Sequence, residues 1–209
     1  MMKRISPSAQ LTALALAALL APQAQATQLV PQNLKQMIRA SDVIVTGEVS
    51  KVSDGIQDGV PYTEVTLKVK GSIKRELASG SQYRFRQYGL LKPRKLADGR
   101  YLLPSKIEGM PSWAVGEKVT TFLNKPAALT GLVTPVGLAQ GKFTAGGAKA
   151  ANSFNNQDLF KGLVVDHNRL NANEAAMLAT QSGPVETGVL LQLVKRAVAE
   201  QWIEKGVMR

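Results

Sequence analysis

The chain has no cysteine and only one histidine among 209 residues. The first absence excludes disulfides, thiolate metal ligands, a thiol nucleophile and lipidation of an N-terminal cysteine. The second excludes a conventional zinc site, because three or four N, S or O ligands are needed and one imidazole cannot found the set. His167 is therefore read as a surface or loop histidine, with Asp166 directed to the opposite side of any strand. Serine hydrolysis lacks its parts as well. There is no G-x-S-x-G elbow and no S-x-x-K, and a Ser-His-Asp triad would have to use His167. Glu48, Glu64, Glu108 and Glu117 offer carboxylates for a pair of the glycosidase kind, but Glu48 and Glu64 fall on outward strand positions. The expectation is a protein that is not an enzyme and holds no cofactor or metal; a hydrolase ranks behind the binding readings.

Acidic residues are also few, 15 against 26 Lys and Arg, for a net charge of +11. That balance favours anionic partners and says nothing about fold. A phosphate-binding loop does not account for it. PVGLAQGKF places three residues between Gly137 and Gly141 where four are required, and Phe143 stands where a magnesium-binding hydroxyl should be. After residue 26 no apolar run approaches the length that spans a bilayer.

What the sequence does have begins at its N-terminus, MMKRISPSAQLTALALAALLAPQAQATQ. Lys3 and Arg4 form a positive n-region, Leu11 to Leu20 a short apolar h-region, and Ala24-Gln25-Ala26 a small-residue cleavage site. Residues 1–26 are expected to be a cleaved signal peptide, with a mature chain from Thr27 destined for the periplasm or the medium. That chain keeps 24 basic and 15 acidic residues. Outside the inner membrane nucleic acid is not the expected partner; an anionic envelope component or a secreted protein is.

Hydrophobic periodicity then predicts a short helix over 31–40 and a strand from Asp42 with Val43, Val45, Gly47 and Val49 on one face. SDGIQDGVP reads as a turn. YTEVTLKVK alternates, with Thr63, Val65, Leu67 and Val69 inward and Glu64, Thr66, Lys68 and Lys70 outward. SQYRFRQYG, a short stretch around Tyr101–Leu103, KVTTFL and VGLAQGKFT follow as strands, the last closing a barrel. TAGGAKAANSFNNQ reads as a polar connection. A short strand is expected at 163–165, a short helix over 174–180 capped by Asn173, and a long amphipathic helix after Pro184 with Val189, Leu190, Leu193, Val194, Ala197, Val198 and Trp202 as its stripe. The predicted architecture is mainly β: a small antiparallel OB-like barrel over 27–144, then a linker and C-terminal helical segment over 145–209.

SDVIVTGEVSKV, YTEVTLKVKGSIK, GMPSWAVGEKVTTFL and VGLAQGKF resemble, in this order, a family of exported bacterial proteins of unknown function. Its pattern is (A/S)DxIVxGxV, YTxVxLxVxxxxKG, GxPxFxxGExVxxFL and GLAQGKF, and the resemblance spans roughly residues 34–143. The chain departs from it at Lys70-Gly71, which comes early, and at Trp113, which replaces Phe. The resemblance implies export and a β-barrel domain. Residues 42 to about 71 are also similar to the netrin or tissue-inhibitor-of-metalloproteinase module, an OB-type barrel. That similarity implies the alternative function, a partner or inhibitor of a secreted metallopeptidase. The module's inhibitory N-terminal cysteine has no counterpart, since the mature chain begins at Thr27.

The densest positive charge runs from Arg84 to Lys106 and is interleaved with aromatic residues. The candidate ligand-binding surface is Arg84, Arg86, Tyr88, Lys92, Arg94, Lys95 and Arg100, with Trp113 either an anchor beside it or a plug of the core. The function predicted from sequence is non-catalytic binding by an exported protein.

Overall fold

The computed structural model describes residues 29–104 and 107–209. The predicted signal segment, its cleavage site and Lys106 lie outside the described residues. Helix α1 (Leu34–Ala40) starts at Leu34 because Asn33 caps it. The Asn33 side chain accepts from the Gln36 amide at 3.0 Å, and Gln36 returns the bond to the Asn33 amide at 2.8 Å, which satisfies two otherwise orphan donors. Its apolar side, Leu34, Met37 and Ile38, is buried.

Strand β1 (Val43–Gln57) and β2 (Val60–Ile73) form a long antiparallel hairpin. The turn is only Asp58-Gly59, with φ of 51° and 77°. Two positive-φ residues are what a two-residue hairpin turn requires, and Asp-Gly supplies them. The longer turn expected at 53–61 is corrected: Asp54-Gly55 stays in the strand, paired with Tyr62 and Thr63. Strands β3 (Gln82–Tyr88) and β6 (Lys118–Leu123) flank the hairpin, and β4 (Arg94–Lys95) pairs with β5 (Tyr101–Leu102) as a separate ribbon. Beyond β6 come β7 (Lys142–Gly146), β8 (Lys149–Ala151) and β9 (Val185–Glu186). The main sheet has the order β3-β2-β1-β6-β7-β8-β9, every pair antiparallel.

The fold is therefore mainly β, as expected, but among the described residues the strand order ends at β3 and β9 without closing on itself. VGLAQGKFT does not close a barrel. Leu138–Gly141 is a 3-10 turn, the strand begins only at Lys142, and it pairs with β6 and β8. The reason is local: Gly137 has φ 62° and Leu138 φ 57°, which breaks an extended run. A partial link does join the two flanks of the hairpin. Val133 N–H donates to Arg86 O at 2.7 Å, Leu123 pairs with Pro135, and Val136 N–H donates to Phe122 O at 2.8 Å.

Residues 145–151, expected as the start of a polar connection, form the β7–β8 hairpin. Asn152 and Asn156 are buried and satisfy each other's backbone: Asn156 Oδ1 accepts from Asn152 N–H, and Asn152 Oδ1 from Asn156 N–H, both at 2.9 Å. Helix α2 (Ala172–Leu178) is capped by Asn171, two residues before the expected Asn173, again through a reciprocal box with Glu174. Helix α3 (Thr187–Ala199) follows β9 directly and buries Leu190, Leu193, Val194 and Ala197. In place of the strand expected at 163–165 there is one bridge, Val165 to Met208.

Two cores lie on opposite faces of the sheet. One contains Val45, Val49, Val65, Leu67, Val69, Phe85, Trp113, Val119 and Val133. The other packs α1 and α3 against Ile44, Phe122 and Phe143, with Trp202 fully enclosed. Because Val43 and Val45 face one way and Ile44 the other, the start of β1 is buried on both sides, and single-face alternation holds only further along.

Candidate anion-binding face

Once β1 passes the helices, its second face is open. Side chains alternate along β2, so those opposite Val65, Leu67 and Val69 point outward. The register aligns them into rows. One row is Lys118, Glu48, Lys68 and Gln82; the next is Lys51, Thr66 and Arg84; a third is Ser53, Glu64 and Arg86. Ser50 bulges out of the β1–β2 ladder between the first two rows, and Lys70 is the extra residue of an irregularity opposite Thr46-Gly47. Bulges re-aim the side chains beside them, and both Lys51 and Lys70 are exposed. Glu48 and Glu64 are the two acids of the three rows. Among the described residues, Lys51, Lys68, Lys70, Arg84 and Lys118 form no ion pair. The result is a basic stripe contributed by four strands.

The residues predicted from sequence divide into three groups. Arg84, Arg86 and Tyr88 lie on the outward side of β3. Arg86 is occupied: it bonds to Glu64 at 2.8 Å and Gln57 at 2.5 Å, and lies 4.3 Å over the Tyr62 ring. Lys92, Arg94, Lys95 and Arg100 belong to the β4–β5 ribbon and its approach. There Arg94 is an anchor: it pairs with Asp54, whose side chain is 3% exposed. Asp54 also accepts from the amides of Leu91 at 2.8 Å and Lys92 at 3.2 Å. Burial acts to raise the Asp54 carboxyl, but the bonds from Arg94, Leu91 and Lys92 outweigh it and hold it below the usual carboxylate value. Arg100 is paired with Asp98 at 2.6 Å, while Lys92 and Lys95 are exposed.

Trp113 is in neither basic group. It is 8% exposed, packs edge-on against Phe85 at 5.2 Å, and donates its indole N–H to Gln87 at 2.9 Å. Together with Tyr88, Leu91, Ile107 and Met110 it borders a groove of about 260 Å³. Lys142 lies 4.7 Å from the Trp113 ring centroid, with its ammonium donating to Ser112 O at 2.6 Å and Glu117 at 2.7 Å. So two of the four quoted motifs, GMPSWAVGE and GLAQGKF, meet in one buried contact. Ala139 N–H donates to Gly109 O at 2.8 Å, and Gln140 bonds the chain at Gln32 N and Val30 O. A Cβ on Gly141 would stand 2.4 Å from Val136 O. The phosphate-loop look-alike is thus a packing element.

Sequence reading missed Lys51, Lys68, Lys70 and Lys118 as members of the surface. Part of the signal was present, since alternation already placed Lys68 and Lys70 outward; the cross-strand register that collects them is not local information. A second groove, about 360 Å³, lies at the helix-covered end of this face, lined by Thr46, Lys70, Ile73, Leu191 and Lys195 among others. His167 sits exposed in a 3-10 turn, and among the described residues no three His, Cys, Asp or Glu side chains cluster as a metal site. No described helix is long and apolar enough to cross a membrane. Searches of family models, curated proteins and solved structures returned no match for the chain.

Proposed function

We propose that this chain is an exported, non-catalytic binding protein for an anionic ligand of the cell envelope or its surroundings, and that the outer face of β1, β2, β3 and β6 is its binding surface. The observation that carries the reading is the set of rows described above, in which Lys51, Lys68, Lys118 and Arg84 share one face and, among the described residues, form no ion pair, with Glu48 the one acid standing between Lys68 and Lys118. A surface of one sign steers and holds an oppositely charged partner, and salt weakens it. The non-catalytic reading rests on where the acids are spent: Asp54 on Arg94, Glu64 on Arg86, Glu117 on Lys142 and Glu174 on Arg196. The OB-like reading rests on β3-β2-β1-β6 surrounding one core, with Val133 linking toward Arg86. Export rests on the N-terminal pattern alone.

A charge-reversal variant tests the surface. Lys51→Glu/Lys68→Glu/Lys118→Glu should elute from a sulfated-polysaccharide matrix at clearly lower salt than the unchanged protein and should remain folded, although the changes at 68 and 118 set like charge beside Glu48 and lower the melting temperature somewhat. Co-elution of the two proteins would remove the outer face as the binding surface.

A further inference from the structure

The groove at the helix-covered end of the outer face combines two kinds of lining. Lys70 and Lys195 flank it, exposed and without an ion-pair partner among the described residues. Ser72 and Gln192 add hydrogen-bonding groups, and Ser72 Oγ already accepts from Leu77 N–H at 3.0 Å, which leaves its own hydrogen free to donate. Among the described residues no Asp or Glu lines the groove. The remaining wall is aliphatic, Ile73 and Leu191, both half-buried. Gly71 leaves its floor open, since a Cβ there would meet no atom within 4 Å. The groove is continuous with the basic stripe: Thr46 precedes Glu48 by two residues on β1, and Lys70 follows Lys68 by two on β2.

This pairing of unneutralised ammonium groups with an aliphatic wall selects among anions. Among the described residues no aromatic ring lines the groove, so they offer no stacking platform for a base or a sugar. A free phosphate or sulfate gains nothing from Ile73 and Leu191. A ligand that carries a phosphate and an acyl chain uses both features, and lysine stems extend the apolar wall while their heads stay in water. We propose that the groove seats one acidic phospholipid of a bilayer surface, its phosphate between Lys70 and Lys195 and its first methylenes against Ile73 and Leu191. Lys51, Lys68 and Lys118 then lie over neighbouring headgroups. The proposal rests on the anion-binding reading of the outer face and names its ligand.

Sedimentation with phosphatidylglycerol vesicles, phosphatidylcholine vesicles and a soluble sulfated polysaccharide tests it, using the chain as the cell processes it. The expected result is binding to phosphatidylglycerol and not to phosphatidylcholine. Lys70→Glu/Lys195→Glu should weaken vesicle binding by about tenfold or more, since each lysine near an anionic surface contributes roughly a factor of five. Lys125→Glu/Lys205→Glu, with the same charge change outside the groove and stripe, should bind within about twofold of the unchanged protein. Leu191→Asn should weaken vesicle binding and leave polysaccharide binding intact. Equal loss in the two lysine pairs, or displacement by glycerol phosphate as effective as by vesicles, would overturn the proposal. Polysaccharide binding without vesicle binding would overturn the lipid and keep the anionic face; failure to bind either would overturn both. Both lysine pairs are exposed, so their melts should match the unchanged protein, and the lysine result stands even if Leu191→Asn destabilises the fold.

Discussion

Trp113 shows how one side chain can be read two ways from sequence and one way in the fold. Its burial, its edge contact with Phe85 and its bond to Gln87 make it part of the core. Trp113→Ala should therefore lower stability by about 3–5 kcal/mol, measured by denaturant unfolding. Trp113→Phe keeps an aromatic ring but removes the indole N–H and leaves Gln87 Oε1 unpaired, and should cost about 1–3 kcal/mol. Asp54 carries a second prediction. Its carboxyl is held below its unfolded value, so its contribution to stability is fully present above the unfolded pKa of about 4 and is lost as pH falls through the lower folded value. Asp54→Asn should thus reduce stability at neutral pH and flatten the acid side of the stability profile below pH about 4. Thermal melts across that range check it. The core role of Trp113 was one of its two sequence readings, whereas the role of Asp54 was not legible. Asp54 belongs to an Asp-Gly pair that local rules assign to a turn, and its partner Arg94 is 40 residues away.

At the scale of elements, the sequence was most legible where one period repeats without interruption. KVTTFL is β6 to the residue, and the two faces of YTEVTLKVK hold in β2, although Thr66, expected outward, is buried. Helix α3 buries the core of its predicted stripe, with Val189 and Val198 at its partly buried margins. Legibility failed where a specific cap or turn outweighed the pattern. Asn171 and Asn173 are both acceptable caps, and only the three-residue spacing from Asn171 to Glu174 makes the reciprocal box. Asn171→Ala should cost about 1 kcal/mol, while Asn173→Ala should change the melting temperature little; a comparison of the two melts decides it. The barrel-closing strand failed for a different reason. VGLAQGKF is apolar enough for a strand, but its positive-φ pair and the tight approach of Gly141 to Val136 make a 3-10 turn. The basic surface failed for a third: Arg94 and Arg100, dense in sequence, are tied to Asp54 and Asp98, while Lys51, Lys68 and Lys118 meet only through strand pairing.

At the scale of the molecule, the fold places two helices over one part of the sheet's second face and leaves the rest uncovered and basic. A protein that needed this face only for stability could cover it or balance its charge. Here Glu48 and Glu64 stand against Lys51, Lys68, Lys70, Lys118, Arg84 and Arg86, and Glu64 is already committed to Arg86. The signal pattern adds a separate expectation: intact mass of the exported protein should correspond to a chain beginning at Thr27, and a retained Met1 in that fraction would contradict it. The most direct test of the binding face compares two charge changes of equal size in one assay. Affinity for a sulfated polysaccharide, titrated at several salt concentrations, should fall by about tenfold or more in Lys51→Glu/Lys68→Glu and much less in Lys92→Glu/Lys95→Glu, because screening limits each exposed charge to about 1 kcal/mol and only the first pair lies within the stripe. The first variant should also show a flatter dependence on salt. An equal loss in both variants, or a larger loss in the ribbon pair, would contradict the assignment of binding to the outer face of the sheet.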